Sequence, residues 1–152
     1  MTALIAPGCT CFALRRLTRT LTRLYDLHMA VVGLKTTQYS LLKHVAIGPM
    51  PMAQLAMQLS MDRTTLTRNL KPLLDAGWIT LTPGSDARQR IVTLTDDGKT
   101  KLTGAKQAWR AAQRELEHTL GPELVMTLHA DTASAMQLLT PLLEEKSHVH
   151  ND

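Results

Sequence analysis

The sequence predicts a mainly α-helical protein that carries one small β-hairpin. Leucines recur at helical spacing, as at Leu14, Leu17, Leu21 and Leu24, and such a stripe is typical of helices that bury one face. Only 3% of the residues are aromatic, so the core must be built from Leu, Ala, Met and Val, which favours helices. The exception is residues 78–95, where the runs WITLT and RIVTLT flank the turn-rich segment PGSDARQ; this pattern predicts a hairpin.

The first two helices follow from their apolar spacing and their end signals. The first is predicted over residues 9–32 and is ended by Gly33. The second is predicted over residues 38–46, with Thr36 or Thr37 as its cap.

A short third helix and a basic fourth helix follow, separated by the three residues SMD. The third is predicted at residues 52–59, and Asp62 is a good N-cap for the fourth. The spacing places Leu66, Leu70 and Leu73 inward. The outward residues of the fourth helix are then polar or basic: Arg63, Thr64, Thr67, Arg68 and Lys71.

The last third of the chain predicts two long helices. One begins at Asp96 or Asp97 and is broken at Gly121-Pro122. The other continues to about Lys146.

Charge is distributed unevenly along the chain. Residues 1–47 hold six Lys or Arg and one acid, residues 48–114 hold ten and five, and residues 115–152 hold one and seven. A basic first three-quarters favours a surface that binds a polyanion, with another task for the acidic end. The alternative is a solvated charge pattern without a partner.

Two short helices joined by a tight turn match a helix-turn-helix, whose second helix enters the major groove of DNA. Arginine can bind guanine through two hydrogen bonds, threonine can contact bases or phosphates, and a helix N-terminus favours a phosphate. The hairpin tip adds Arg88 and Arg90 beside that helix, and a narrow minor groove attracts a guanidinium group. The alternative is an exposed helix that is merely basic.

Three stretches together resemble the MarR family of winged helix-turn-helix regulators. They are QLAMQLSMDRTTLTRNLKPLLDAGWI, the wing signature Asp86-x-Arg88, and VTLTDDG at residues 92–98. The resemblance also covers the order and length of the helices over nearly the whole chain. From its length of 152 residues the chain is expected to be a single domain, residues 1–152. The resemblance implies a winged helix-turn-helix lobe at residues 37–96 and N- and C-terminal dimerisation helices at residues 9–32 and 97–146.

The resemblance further implies a homodimer on a pseudo-palindromic double-stranded DNA operator, and a regulator, most often a repressor, that a small ligand releases. In the family pattern the wing aspartate, here Asp86, braces the wing arginine, here Arg88. The apolar faces of residues 14–32 and 124–143 are too long for one small lobe to cover, which independently favours a partner chain. The expected DNA-binding residues are Arg63, Thr64, Thr65, Thr67, Arg68, Lys71, Asp86, Arg88 and Arg90.

The expected effector is a small aromatic or carboxylate-bearing molecule between the dimerisation helices and the DNA-binding lobe, a location that the resemblance implies. The first helix carries more cations than Asp26 can balance, and a guanidinium group suits a carboxylate. These arginines could instead pair with the acidic last helix or lie along DNA phosphates. The candidate ligand-binding residues are Arg15, Arg16, Arg19, Thr37 and Tyr39.

Cys9 and Cys11 suggest an alternative, redox-controlled regulator. A helix that begins near Cys9, with Arg15 and Arg16 close by, would make either thiol more easily oxidised than average. The MarR family includes a branch that senses organic hydroperoxides through a cysteine near the start of the first helix, although the supporting tyrosines of that branch are not clearly matched here. Ordinary packing of small thiols at a dimer interface is the other interpretation.

Enzymatic function is not expected. The sequence lacks a Ser/His/Asp nucleophile signature, a glycine-rich phosphate loop and an HExxH pattern, and the spacing of Cys9 and Cys11 does not suit a zinc site. We therefore predict no catalytic residues, no metal and no cofactor. No membrane-spanning run or signal peptide is apparent, which predicts a cytoplasmic protein.

Overall fold

The computed structural model describes residues 8–86 and 88–149, with side chains up to residue 145. Within these residues the chain forms helices and short strands in the order α1 (Thr10–Met29), α2 (Thr36–Val45), β1 (Met50–Pro51), α3 (Met52–Gln58), α4 (Arg63–Asp75), β2 (Ile79–Pro83), β3 (Arg90–Leu94), α5 (Asp96–Leu120) and α6 (Pro122–Val149). The predicted class, mainly helical with a small hairpin, is confirmed.

The first two helices differ slightly from their predicted ends. A 3₁₀-helix at Ala30–Val32 continues α1, and Gly33 then reverses the chain at φ 65°, as expected for a terminating glycine. The predicted threonine cap of α2 is wrong, because Lys35 is the N-cap residue. Its backbone N–H donates to the Gln38 side chain at 2.8 Å, while the N–H of Thr36 donates to Oδ1 of Asp26 at 2.7 Å.

The sheet has one strand more than predicted. β2 and β3 pair antiparallel from Ile79–Leu94 to Pro83–Arg90, which confirms the hairpin. β1, which was not predicted, pairs with the other edge of β3 and places Met50 opposite Val92. The strand order is therefore β1-β3-β2, and the sheet ties the segment before α3 to the hairpin.

The core lies between α2, α3, α4 and the inner face of the sheet, and Met29 of α1 and Leu102 of α5 also belong to it. Leu66, Leu70 and Leu73 of α4 are all at most 1% exposed, as their spacing predicted. They pack in one cluster with Leu55 of α3 and Val92 of β3. Burial of these leucines fixes which face of α4 is exposed.

The chain divides into two compact units, up to Ala112 and from Gln113 onward. The first holds the sheet and α1 to α4, and α5 runs from it into the second. In the second unit, α6 starts directly after Gly121 (φ 80°), as predicted. Within the described residues, none of the helices combines the length and the apolar composition needed to cross a membrane.

Candidate nucleic-acid interface

Asp62 fixes the start of α4. One of its carboxylate oxygens accepts the backbone N–H of Thr65 at 2.8 Å, and the other accepts the Thr65 hydroxyl at 2.6 Å. The predicted N-cap is therefore confirmed, and it satisfies a backbone donor that the first turn would otherwise leave unpaired. Thr65 is half-buried, and its hydroxyl proton is used inside the helix.

The polar residues of α4 form one exposed stripe. Thr64, Thr67, Arg68 and Lys71 all point to solvent, because the leucines occupy the opposite face. Two of them already have partners: the Thr67 hydroxyl donates to the carbonyl of Arg63 at 2.8 Å, and the Lys71 ammonium lies 2.8 Å from the Asp75 carboxylate. Arg68 thus stands in the middle of an exposed hydrogen-bonding surface.

The tip of the hairpin is a hydrogen-bonded turn, in which Ala87 lies outside the described residues. The Gly84 N–H donates to the carbonyl of Gln89 at 3.0 Å, and the Gln89 N–H donates to the carbonyl of Asp86 at 2.9 Å. The Asp86 carboxylate accepts the backbone N–H of Arg88 at 3.0 Å. It thus holds the peptide of Arg88, whose side chain is exposed.

The start of α4 and the hairpin tip share one cleft of about 560 Å³. Four of the predicted DNA-binding residues line it: Arg63, Asp86, Arg88 and Arg90. The opposite wall comes from α3 and is apolar, with Met52, Ala53, Ala56 and Met57. Three guanidinium groups against one carboxylate make the rim of the cleft basic.

The predicted effector residues fall into two groups. Arg15, Arg16 and Arg19 are exposed on α1, and Thr37 is exposed in the first turn of α2. Tyr39 is only 4% exposed, and burial raises the pKa of its hydroxyl against a smaller opposing effect of a nearby arginine.

Tyr39 packs with residues that were not among the predicted site residues. Its ring stacks on Trp109 of α5, with ring centres 6.1 Å apart, and the Lys43 ammonium lies 4.9 Å from the centre of the Trp109 ring. The sequence signal for this contact is the seven-residue spacing of Leu102, Trp109 and Leu116, which places them on one face of α5. The pairing itself joins residues 70 positions apart, which a local pattern does not reveal.

Cys9 is the N-cap residue of α1, and its sulfur accepts the backbone N–H of Phe12 at 3.4 Å. Both Cys9 and Cys11 are exposed, and neither is in a disulfide. In the part of the chain that the structure describes, no three His, Cys, Asp or Glu side chains come together as metal ligands.

The cap of α4 makes this helix sensitive to acid. The Thr65 hydroxyl and then the Thr65 N–H hold the pKa of Asp62 below its ordinary value of 3.8. The charged carboxylate therefore stabilises the folded state fully above pH 3.8, and that contribution is lost as the pH falls through the lowered pKa.

We expect Asp62→Asn to lower the melting temperature at neutral pH, because the amide nitrogen cannot accept the Thr65 hydroxyl and the negative charge that the helix N-terminus favours is lost. The difference from the wild type should narrow on acidification below pH 3.8. Thermal melts of both proteins at equal concentration test this. The effects of the other carboxylates cancel in the difference between the two melting temperatures, because both proteins carry them. A difference independent of pH would contradict the assigned role of the charge.

Comparisons with known proteins identify the family. The sequence profile of the MarR family matches residues 32–90. The chain is 32% identical to the M. tuberculosis transcriptional regulator MosR, solved in complex with DNA, over 87% of this chain and 98% of that one, with a TM-score of 0.76. A mutant of MarR from E. coli, complexed with operator DNA, shares the fold, with 23% identity over 82% of this chain and 91% of that one and a TM-score of 0.74.

A further relative is the uncharacterized HTH-type transcriptional regulator YwoH of Bacillus subtilis (strain 168), 34% identical over 70 residues. That match spans 45% of this chain and about half, 51%, of the relative. These relatives are described as transcriptional regulators. The profile match, together with the similarity to MosR over almost its full length, shows that the chain belongs to the MarR family of transcriptional regulators.

Proposed function

We propose that the protein is a homodimeric repressor that binds a pseudo-palindromic double-stranded DNA operator through α4 and the hairpin. The observation that carries the proposal is the basic cleft in which Arg63, at the start of α4, meets Arg88 and Arg90 of the hairpin. A recognition helix in the major groove and a wing at the neighbouring minor groove require these two elements side by side.

The residues of this surface suit different parts of DNA. Arg68, in the centre of the exposed stripe, suits a guanine edge in the major groove, which an arginine contacts through two hydrogen bonds. Arg88 suits the minor groove and its phosphates, since Asp86 fixes its backbone and leaves its guanidinium exposed. Lys71 suits a phosphate, for which it must leave Asp75.

Footprinting on the DNA that flanks the gene of this protein, followed by titration at several salt concentrations, tests the proposal. We expect a protected site with two symmetric halves, and affinity that falls steeply with salt, because each phosphate contact releases counterions. Equal affinity for the protected site and for random duplex would contradict sequence-specific binding.

The dimer is argued from apolar side chains that remain in contact with solvent. Those on α1 and the following turn are Phe12, Leu14, Leu27 and Val31, and those on α6 are Leu124, Met126, Met136, Leu138, Leu139, Leu142 and Leu143. A soluble monomer rarely exposes so large an apolar surface, and burial of one leucine contributes about 1.5–3 kcal/mol. A second copy of the chain would cover these residues.

We expect the full chain to sediment as a dimer, with twice its mass of 16.8 kDa, and to protect half-sites about 10 base pairs apart, centre to centre. Deletion of residues 124–152 should unfold or aggregate the protein, because the dimer then loses the apolar face that α6 is proposed to contribute. Sedimentation and circular dichroism measure both properties. A folded, monomeric deletion variant would refute the assignment of α6 to dimerisation.

The proposed effector is a small aromatic carboxylate. Tyr39 is buried beneath this site, and the half-buried Trp109 ring stacked on it, with the exposed Lys43 ammonium 4.9 Å from the ring centre, offers an aromatic surface next to a cation. Arg15, Arg16 and Arg19 of α1 are exposed and are candidates to bind the carboxylate through two hydrogen bonds.

A second candidate function, release of DNA on oxidation, is favoured by the position of Cys9. Its sulfur is exposed and accepts a backbone N–H at the start of α1. Attack of this sulfur, or that of Cys11, on a hydroperoxide would form an S–O bond and break the O–O bond. The sulfur loses two electrons, and the alcohol leaves with the proton, which yields a sulfenic acid.

We expect aromatic acids to release the operator from the wild-type protein. At least one of the variants Arg15→Ala, Arg16→Ala and Arg19→Ala should still dimerise and bind the operator, but should not release it when the acid is added. Arg23→Ala, an exposed arginine of the same helix, is the matched control and should respond as the wild type does. Operator-release titrations decide the matter. If peroxide alone releases DNA, and the double variant Cys9→Ser, Cys11→Ser does not respond to it, the redox function replaces the ligand function.

A further inference from the structure

Lys101 of α5 connects two segments that are distant in sequence. Its ammonium nitrogen donates a 2.6 Å hydrogen bond to the carbonyl of Val32, 69 residues earlier. The same nitrogen lies 4.9 Å from the centre of the Trp78 ring. Val32 ends the 3₁₀-helix that follows α1, and Trp78 lies between α4 and β2. One side chain therefore touches the end of the first helix and the link between the recognition helix and the wing.

Both contacts suit a cation. The last carbonyls of a helix lack backbone partners and carry partial negative charge, so a lysine stabilises them. The face of an indole ring also attracts an ammonium group. Lys101 is half-buried, which reduces the competition from water at both contacts.

The contact lies where the chain turns from α1 into α2. Gly33 reverses the chain with a φ of 65°, and a Cβ atom added at Gly33 would lie 3.7 Å from the Lys101 nitrogen. The turn therefore passes directly beside the ammonium group. A bond to the carbonyl just before a glycine limits the rotation that this turn would otherwise allow.

We infer that Lys101 is a positioning residue for operator binding, which holds α1 in a fixed orientation relative to the junction of α4 and the wing. The inference rests on the proposed function, in which α1 belongs to the dimer interface and α4 reads DNA. Two recognition helices match two half-sites only when each lobe is held rigidly to the helix that dimerises. Lys101 touches no proposed DNA contact, and it acts through Val32 and Trp78.

The test compares Lys101→Met, which keeps the length of the side chain but loses the charge, with Lys106→Met. Lys106 is an exposed lysine of the same helix, so both variants lose one positive charge. Affinity is measured for the operator with its natural half-site spacing and for operators one base pair longer or shorter. We expect Lys101→Met to bind the natural operator about tenfold more weakly and to discriminate less between spacings. Lys106→Met should keep the discrimination of the wild type.

Unchanged spacing discrimination in Lys101→Met would overturn the inference. An equal loss of discrimination in both variants would also overturn it, because the loss of one positive charge would then be enough to explain the effect. Should Lys101→Met fail to fold, Lys101→Gln, whose uncharged amide loses the attraction to the Trp78 ring but can still donate to Val32, should show a smaller loss of spacing discrimination in the same direction. Hydrogen exchange provides a readout that does not depend on DNA: residues 30–34 should exchange faster in Lys101→Met only. If the wild type binds no operator, the proposed function fails, whereas unchanged exchange refutes the role of Lys101 itself.

Discussion

Replacing Gly98 by alanine is expected to lower the free energy of unfolding by about 2–4 kcal/mol, and the melting temperature by about 5–10 °C. A Cβ atom at this position would overlap the carbonyl oxygen of Trp78 and come within 2.7 Å of the Leu94 side chain. The carbonyl cannot retreat freely, because it accepts the N–H of Thr95 at 3.0 Å. The first turn of α5 must therefore move away from the hairpin.

Gly104→Ala is the matched control for this prediction. Gly104 lies in the same helix and is exposed, and a Cβ atom added there meets nothing within 4 Å. Alanine should therefore stabilise α5 at this position by about 0.5–1 kcal/mol, through its higher helix propensity. Thermal melts at equal protein concentration separate the two effects. A stabilising effect of Gly98→Ala would show that α5 does not pack against Trp78 as described.

Arg68→Ala and Arg88→Ala are expected to weaken operator binding in two distinguishable ways. If Arg68 contacts a base, its loss should cost about 1–3 kcal/mol on the operator and far less on random duplex, so that discrimination falls. Loss of Arg88 should weaken binding to both duplexes and reduce the salt dependence of the affinity. A wing arginine contacts the sugar-phosphate backbone or enters a narrow minor groove, and neither contact reads a base directly.

Titration of both variants against operator and random duplex, at two salt concentrations, measures these differences. Asp86→Ala should partly reproduce Arg88→Ala, since the peptide of Arg88 then loses the hydrogen bond that orders it. Arg114→Ala, an exposed arginine near the end of α5, serves as the control for loss of charge. Unchanged affinity of both Arg68→Ala and Arg88→Ala would rule out the assigned contacts.

Much of the fold could be predicted because its signals are local. The leucine spacing of α4, the cap at Asp62 and the chain reversal at Gly33 each depend on residues within a few positions of one another, and all three are confirmed. The same spacing predicted which side of α4 is exposed, and so placed Thr64, Thr67 and Arg68 on one surface.

The cap of α2 shows how a local signal can mislead. Thr36 and Thr37 are good capping residues, but Asp26, ten residues earlier, accepts the N–H of Thr36. That bond brings Thr36 into the first turn of the helix and leaves Lys35 as the N-cap. A partner from α1 thus decides where the helix begins, and no pattern within the segment contains that information.

The sequence was sufficient to determine the helices, the hairpin and the exposed polar face of α4, because each depends on periodicity or on capping over a few residues. Only the tertiary structure decided that β1 joins the sheet, that Arg63 shares a cleft with Arg88, and that the Lys101 ammonium reaches the carbonyl of Val32. These contacts join distant segments, and they form only after burial of the leucine faces has brought the helices and the sheet together.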